Sequence, residues 1–182
     1  MANKEALRAL QQRLAERLNM VRQQAPVRNF LAVEIAGSGF LLPLDQVGEI
    51  FPLTAIQAVP HCQGWFLGVA NLRGQLHGVA DLAAYLGLPG RTAPRQAAEV
   101  SARDAGRLIA FNTSLQMNAA LWIDRLMGLR NPQTLQPAEP SDADAARPHF
   151  IGATWRDDQS RNWYELNLAA LVADEQFLKI DV

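Results

Sequence analysis

From residue 26 onward the chain offers nothing that a long helix could use. Apolar residues come in short runs rich in Val, Ile, Leu and Phe, and each run is cut off by Gly, Pro, Asn or Asp. Runs of that kind read as strands joined by tight connections. Strands are therefore expected at 28–35, 40–43, 48–52, 67–70 and 75–80, with Gly37-Ser38-Gly39 as the turn between the first two. Asp81 is placed to cap a brief helix carrying Leu82, Tyr85 and Leu86, which Gly87, Pro89 and Gly90 would close. A second set of strands is expected at 107–113, 116–123, 125–130, 151–155 and 161–167, before a last short helix over 168–173. Pro132, Pro137, Pro140 and Pro148, with Asp142 and Asp144 between them, read as an exposed loop. The fold class is mainly β.

The two sets share one pattern. Leu42, Leu44, Asp45, Val47 and Ile50 recur 79 positions later as Leu121, Ile123, Asp124, Leu126 and Leu129, and Ile56-Gln57 recurs at the same offset as Leu135-Gln136. Apolar matches arise easily by chance, so the aspartate and the glutamine carry the information. Strand, turn, strand in each half implies two similar small β-units. Residues 90–106 are small, polar or charged around Pro94, a composition that suits an exposed connector and puts a subdomain boundary there.

Ahead of the strands, Leu7, Leu10, Leu14, Leu18 and Val21 fall at spacings of three and four, one leucine stripe on a helix with arginines on its other faces. Ala25 and Pro26 end it, which divides the chain into a helix at 1–25 and a body at 26–178. The stripe fits a helix docked on its own domain, or one that binds a partner or a membrane surface. It carries no aromatic residue, so the membrane version is the least favoured. Lys4, Arg8 and Arg13 mixed with Glu5 and Glu16 are unlike a secretory signal, and the uncharged stretch 50–72 is interrupted too often to span a bilayer. No direct membrane insertion is expected.

At 182 residues the chain is long enough to bury a core, and 49% apolar with 19% charged residues excludes wholesale disorder. A net charge of -1 leaves no excess to hold a phosphate backbone, so no nucleic-acid partner is expected. The single Cys62 forms no internal disulfide and points to a reducing, cytoplasmic setting. His61 and Cys62 are adjacent, hence on opposite faces of a strand, and no metal-ligand spacing accompanies them. As a nucleophile Cys62 would need His77 or His149 brought to it by the fold. Gly64, Gly68, Gly74 and Gly78 form no phosphate-binding loop, and no cofactor is expected. Trp65, Phe66, Trp122, Trp155 and Trp163 suit stacking platforms or, better, packing. What remains is a β-rich module that works by contact with other macromolecules.

Gly68-Val69-Ala70-Asn71-Leu72-Arg73-Gly74, followed by Val79, Asp81 and Leu82, resembles the hallmark of the CheW family of chemotaxis coupling proteins, a G-V-x-N-L-R-G segment, then a strand, then D-L. Phe30-Leu31-Ala32-Val33 looks like that family's first strand, Val47-Gly48-Glu49-Ile50 like its V-x-E-I strand, and Val59-Pro60 like the entry to its glycine-rich turn. The resemblance implies two packed SH3-like five-stranded β-barrel subdomains. It also implies a non-catalytic adaptor that binds the regulatory domain of a CheA-type histidine kinase and the cytoplasmic tip of a methyl-accepting chemoreceptor, in arrays at the inner membrane. His77-Gly78 stands where most such proteins have Pro, Ala83 where a basic residue usually follows D-L, and the leading helix is extra. This combination resembles the PilI-type coupling proteins of type IV pilus systems, which act in twitching motility. A coupling protein of another system, such as flagellar chemotaxis, is the alternative, followed by a Cys/His enzyme and a nucleic-acid-binding barrel.

Val47, Glu49, Gly68, Asn71 and Arg73 are the expected partner-binding residues. Asn71 to Gly74 should turn the chain between two strands, with Asn and Gly tolerating a left-handed backbone. Arg73 has two roles open to it, pairing with Glu49 to fix the turn or donating a fork of hydrogen bonds to a partner. Alternation would put Val47 and Glu49 on one face of their strand and Gly48 and Ile50 on the other.

Overall fold

The computed structural model describes residues 29–89, 106–139 and 147–182. The leucine-striped segment and the connector at 90–105 lie outside the described residues. The first half forms β1 (Phe30–Ile35), β2 (Ser38–Pro43), β3 (Val47–Pro52), β4 (Ile56–Gln57), β5 (Phe66–Leu72), β6 (Gln75–Ala80) and the helix α1 (Leu82–Leu86). The second forms β7 (Arg107–Phe111), β8 (Ala119–Ile123), β9 (Arg125–Arg130), β10 (Gln136–Pro137), β11 (Ile151–Arg156), β12 (Asn162–Leu166), α2 (Leu168–Leu171) and α3 (Glu175–Leu178).

Every expected strand is present, with ends moved by a few residues. The strand expected at 107–113 stops at Phe111, because Asn112 caps a 3-10 turn and Gln116 is left-handed at φ 53. The first turn is Ala36-Gly37, both at positive φ (49 and 76), while Ser38 and Gly39 already belong to β2. Asp124, the repeated aspartate, accepts a hydrogen bond from the Ala36 N–H at 2.6 Å and holds that turn. At the start of the proline-rich loop a 3-10 turn at Pro132–Thr134 leads into β10.

Two six-stranded sheets result, in the orders β10-β11-β12-β2-β1-β9 and β3-β7-β8-β6-β5-β4. The sixth member beyond the five expected per unit is the two-residue β10 or β4. The orders superimpose when β1 to β6 are exchanged for β7 to β12, so the duplication extends to topology. Each half lends its first hairpin to the other's sheet. Those hairpins join by parallel pairing, β2 with β12 (Gly39↔Trp163) and β8 with β6 (Ala119↔Gly78).

The lent hairpins explain why their strands are apolar on both faces. Leu31, Val33 and Ile35 enter the shared core with Ile109, Phe111, Leu121 and Ile123. Phe30, Ala32 and Leu41 pack with Trp163 in one small core, while Leu108, Ala110 and Trp122 pack with Leu72 and Val79 in the other. The helices complete the shared core: Asp81 caps α1 through the N–H groups of Ala83 and Ala84, Asn167 caps α2 through Ala170, and Leu82 and Leu168 are fully buried behind them. The capping aspartate is itself buried, its side chain accepting from N–H donors of the first turn.

Candidate partner-binding surface

The hairpin of β5 and β6 builds the exposed tip. Leu72 pairs with Gln75, leaving Arg73 (φ 51) and Gly74 (φ 85) as a two-residue turn with both backbones left-handed. Asn71 is not part of the turn backbone. It is an exposed strand residue whose side-chain oxygen accepts from the Gly74 N–H at 2.7 Å, so it braces the turn from below. Arg73 is therefore the residue that bears the left-handed conformation, although an L side chain disfavours it.

Glu49 reaches this tip through a bulge. Val47 pairs with Phe111 and Ile50 with Ile109, so Gly48 and Glu49 together oppose the single Ala110. The extra residue breaks the expected alternation. Val47 is buried in the shared core, Ile50 packs against the same core, and Glu49 alone turns outward. A Cβ on Gly48 would lie 2.7 Å from the Phe111 carbonyl oxygen, so the bulge has no room for a side chain there.

Glu49 and Arg73 form an ion pair at 2.7 Å, with their side chains 44% and 75% exposed. A pair so open to water contributes no more than about 1 kcal/mol, and its guanidinium can exchange its carboxylate for another's. Across the hairpin from Asn71 stands Leu76, 64% exposed. Nothing in the sequence marked it. The strand buries His77 and exposes Leu76.

Of the five expected residues, Glu49, Asn71 and Arg73 lie exposed on this tip, and Val47 and Gly68 do not. Gly68 is buried at φ +126, and an added Cβ would collide with the Gln57 carbonyl where β4 crosses β5. Its lack of a side chain lets those two strands approach.

Asp81 is fully buried as a cap, His61 is exposed, and the Cys62 thiol donates to the Pro60 carbonyl at 3.7 Å while its backbone bridges to Asp181. Among the described residues no group of three or more His, Cys, Asp or Glu is placed to hold a metal. No described helix is long and apolar enough to cross a membrane. The indoles expected to pack do so: Trp122 and Trp163 are buried, and Trp65 stacks on Phe177 at 5.2 Å.

Two carboxylates have depressed pKa values for structural reasons. The Tyr85 hydroxyl donates to Asp174 at 2.7 Å and lowers its pKa against the opposing effect of burial, helped by the Phe177 and Gln176 N–H groups and by His149. Burial raises Asp157, but the Trp163 indole N–H at 2.9 Å, two backbone N–H groups and Arg130 outweigh it and bring the pKa down. Both groups join elements of the fold, and neither lies on the hairpin tip.

The family model for the CheW-like domain matches residues 29–176. Over 163 residues the chain is 26% identical to "Protein PilI" of Pseudomonas aeruginosa, covering 88% of this chain and 85% of that protein. Over a shorter stretch of 61 residues it is 39% identical to "Probable chemotaxis protein CheW" of Rhizobium etli, covering 34% of this chain and 39% of that one. The fold is similar to the crystal structure of scaffolding protein TtCheW from Thermoanaerobacter tengcongensis, with a TM-score of 0.60 and 21% identity over 80% of this chain and 87% of that chain.

Proposed function

The chain belongs to the CheW-like domain family of non-catalytic coupling scaffolds, and we propose that it links a methyl-accepting chemoreceptor to a CheA-type histidine kinase in the chemosensory system of a type IV pilus. In this reading it joins the kinase's regulatory domain to the receptor's cytoplasmic tip, in arrays at the inner membrane, and serves twitching motility. The observation that carries the proposal is the hairpin tip. Arg73 is held at an unfavourable backbone angle, paired among the described residues with an exposed Glu49, and set beside the exposed Leu76. The fold gains little from that arrangement, whereas a partner gains an apolar anchor and an exchangeable charge pair. Likeness to the PilI protein along most of both chains supports the pilus assignment over a flagellar one.

A binding titration against the regulatory domain of the pilus-type kinase, repeated with the flagellar-type kinase and with Arg73→Glu, tests this. Selective binding that the charge reversal weakens is the expected result. Binding to both kinases would remove the pilus assignment, and binding to neither by a folded protein would remove the coupling role.

A further inference from the structure

The two halves correspond residue by residue where they join. Asp81 and Asn167 each cap a helix, and their N–H groups donate to the carbonyls of Trp65 and Phe150. Just ahead of those caps stand Gly78 and Tyr164, each paired in parallel with a strand of a lent hairpin, Gly78 with Ala119 and Tyr164 with Phe40. The repeat therefore sets Gly78 against Tyr164 and Ala119 against Phe40.

The side chains at these matched positions differ. In the second half two rings meet there, Phe40 and Tyr164, with centroids 6.0 Å apart. In the first half Phe66 lies over Gly78, its ring 3.0 Å from where a Cβ would stand, so a ring from the neighbouring strand covers that position. Ala119 leaves the position of Phe40 without a ring. A cleft of about 240 Å³ lies at this point, with Gly78, Ala80 and Ala119 as its floor.

The walls of the cleft are held in place by the fold. Trp65 stacks on Phe177 at 5.2 Å and meets Tyr85 edge-on at 5.0 Å. Phe177 belongs to α3, whose cap Asp174 accepts from the Tyr85 hydroxyl, and the Gln63 N–H donates to the Ile180 carbonyl at 2.8 Å. Met117, Leu178 and Ile180 complete the wall, the last two 51% and 37% exposed at the mouth. None of the described residues lining the cleft is charged, and Asn118 is the polar residue among them.

We propose that this cleft binds a small neutral aromatic molecule of one or two rings, which takes in the first half the place that the Phe40 ring takes in the second. Room and chemistry agree. An apolar cavity of about 150 Å³ is enough for benzene, so a cleft of about 240 Å³ admits a bicyclic ring. Aromatic walls offer such a ring both edge and face contacts. A charged ligand would give up hydration with no opposite charge among these residues to replace it.

Indole titrated into the isotope-labelled full chain tests the proposal. Saturable shifts are expected at the methyl groups of Met117, Leu178 and Ile180, with a Kd of about 1 mM or tighter. The methyl groups of Ile151, which line the corresponding cleft of the second half, should not move. Ala119→Phe places the second half's ring in the cleft and should weaken indole binding at least about tenfold with the Tm retained. Met117→Ser, at a half-buried position where the second half carries Ser38, keeps the test open if the larger ring prevents folding; it removes part of the wall and should weaken binding about three- to tenfold. No saturable shift up to the solubility limit of indole, equal shifts at Ile151, or undiminished binding by the folded variants would overturn the proposal.

Discussion

Arg73 occupies a backbone position that glycine would fill better, and Arg73→Gly separates its structural from its binding role. At φ 51 the side chain meets a steric cost of about 1–2 kcal/mol, which glycine removes. Against that, glycine adds freedom to the unfolded chain, costing about 0.4–1 kcal/mol. The lost ion pair with Glu49, mostly in water, costs a further 0.2–1 kcal/mol or so. These contributions nearly cancel, leaving a change within about 1 kcal/mol of zero and a Tm shift of no more than about 3 °C for a domain of this size. Binding should respond differently. A charge-assisted hydrogen bond to a partner carboxylate contributes about 1.5–3 kcal/mol, so the Kd for the kinase regulatory domain should rise by roughly 10- to 150-fold. Calorimetric melting and a binding titration on the same preparation check both. Because glycine preserves the turn, weaker binding cannot be ascribed to a lost hairpin. A Tm drop beyond about 6 °C with unchanged Kd would refute the reasoning and make the pair structural.

Gly68→Ala should lower stability by about 2–5 kcal/mol, combining strain at positive φ with overpacking against the Gln57 carbonyl; a melt no worse than the parent would mean that β4 yields easily. Asp81→Ala removes the acceptor for the Ala83 and Ala84 N–H groups and should cost about 1–2 kcal/mol, read by urea titration, with kinase affinity of the folded fraction unchanged. Asp157 and Asp174 have folded pKa values below their ordinary range. They therefore add stability above about pH 4 that is lost as pH falls through those lower values, and Asp157→Asn with Asp174→Asn should flatten the acid limb of the Tm profile. Burial first, then the bond to Asp174 and its charge, hold the Tyr85 phenol above its usual range. Stability should thus decline as pH rises past about 10, a decline that Tyr85→Phe should reduce.

Local signals survived folding where the information lay within a few residues. The β5–β6 hairpin, the Asp81 cap and the left-handed Gly87 that ends α1 were all legible, because each is a short-range match between side chain and backbone. β4 and β10 were missed as strands, since two residues show no period. The face assignment at Val47 and Glu49 failed for a different reason. A bulge inserts one residue into the alternation, and it is defined by the register against β7, a strand some sixty positions away. In the turn, Gly74 takes the left-handed backbone that the sequence suggests, but its partner is Arg73 and not Asn71, because the pairing of Leu72 with Gln75 sets the turn one step later.

The sequence by itself determined that this is a mainly β chain made of two like units, with a coupling-protein motif on one hairpin, because strand period, turn chemistry and the repeat are properties of neighbouring residues. Only the tertiary structure decided which strands share a sheet and which of two equivalent apolar residues meets water. The exchange of the first hairpins rests on parallel pairs between distant strands. Exposure belongs to what packs on top: Val47 and Leu126 occupy the same place in the repeat, and one is core while the other is surface.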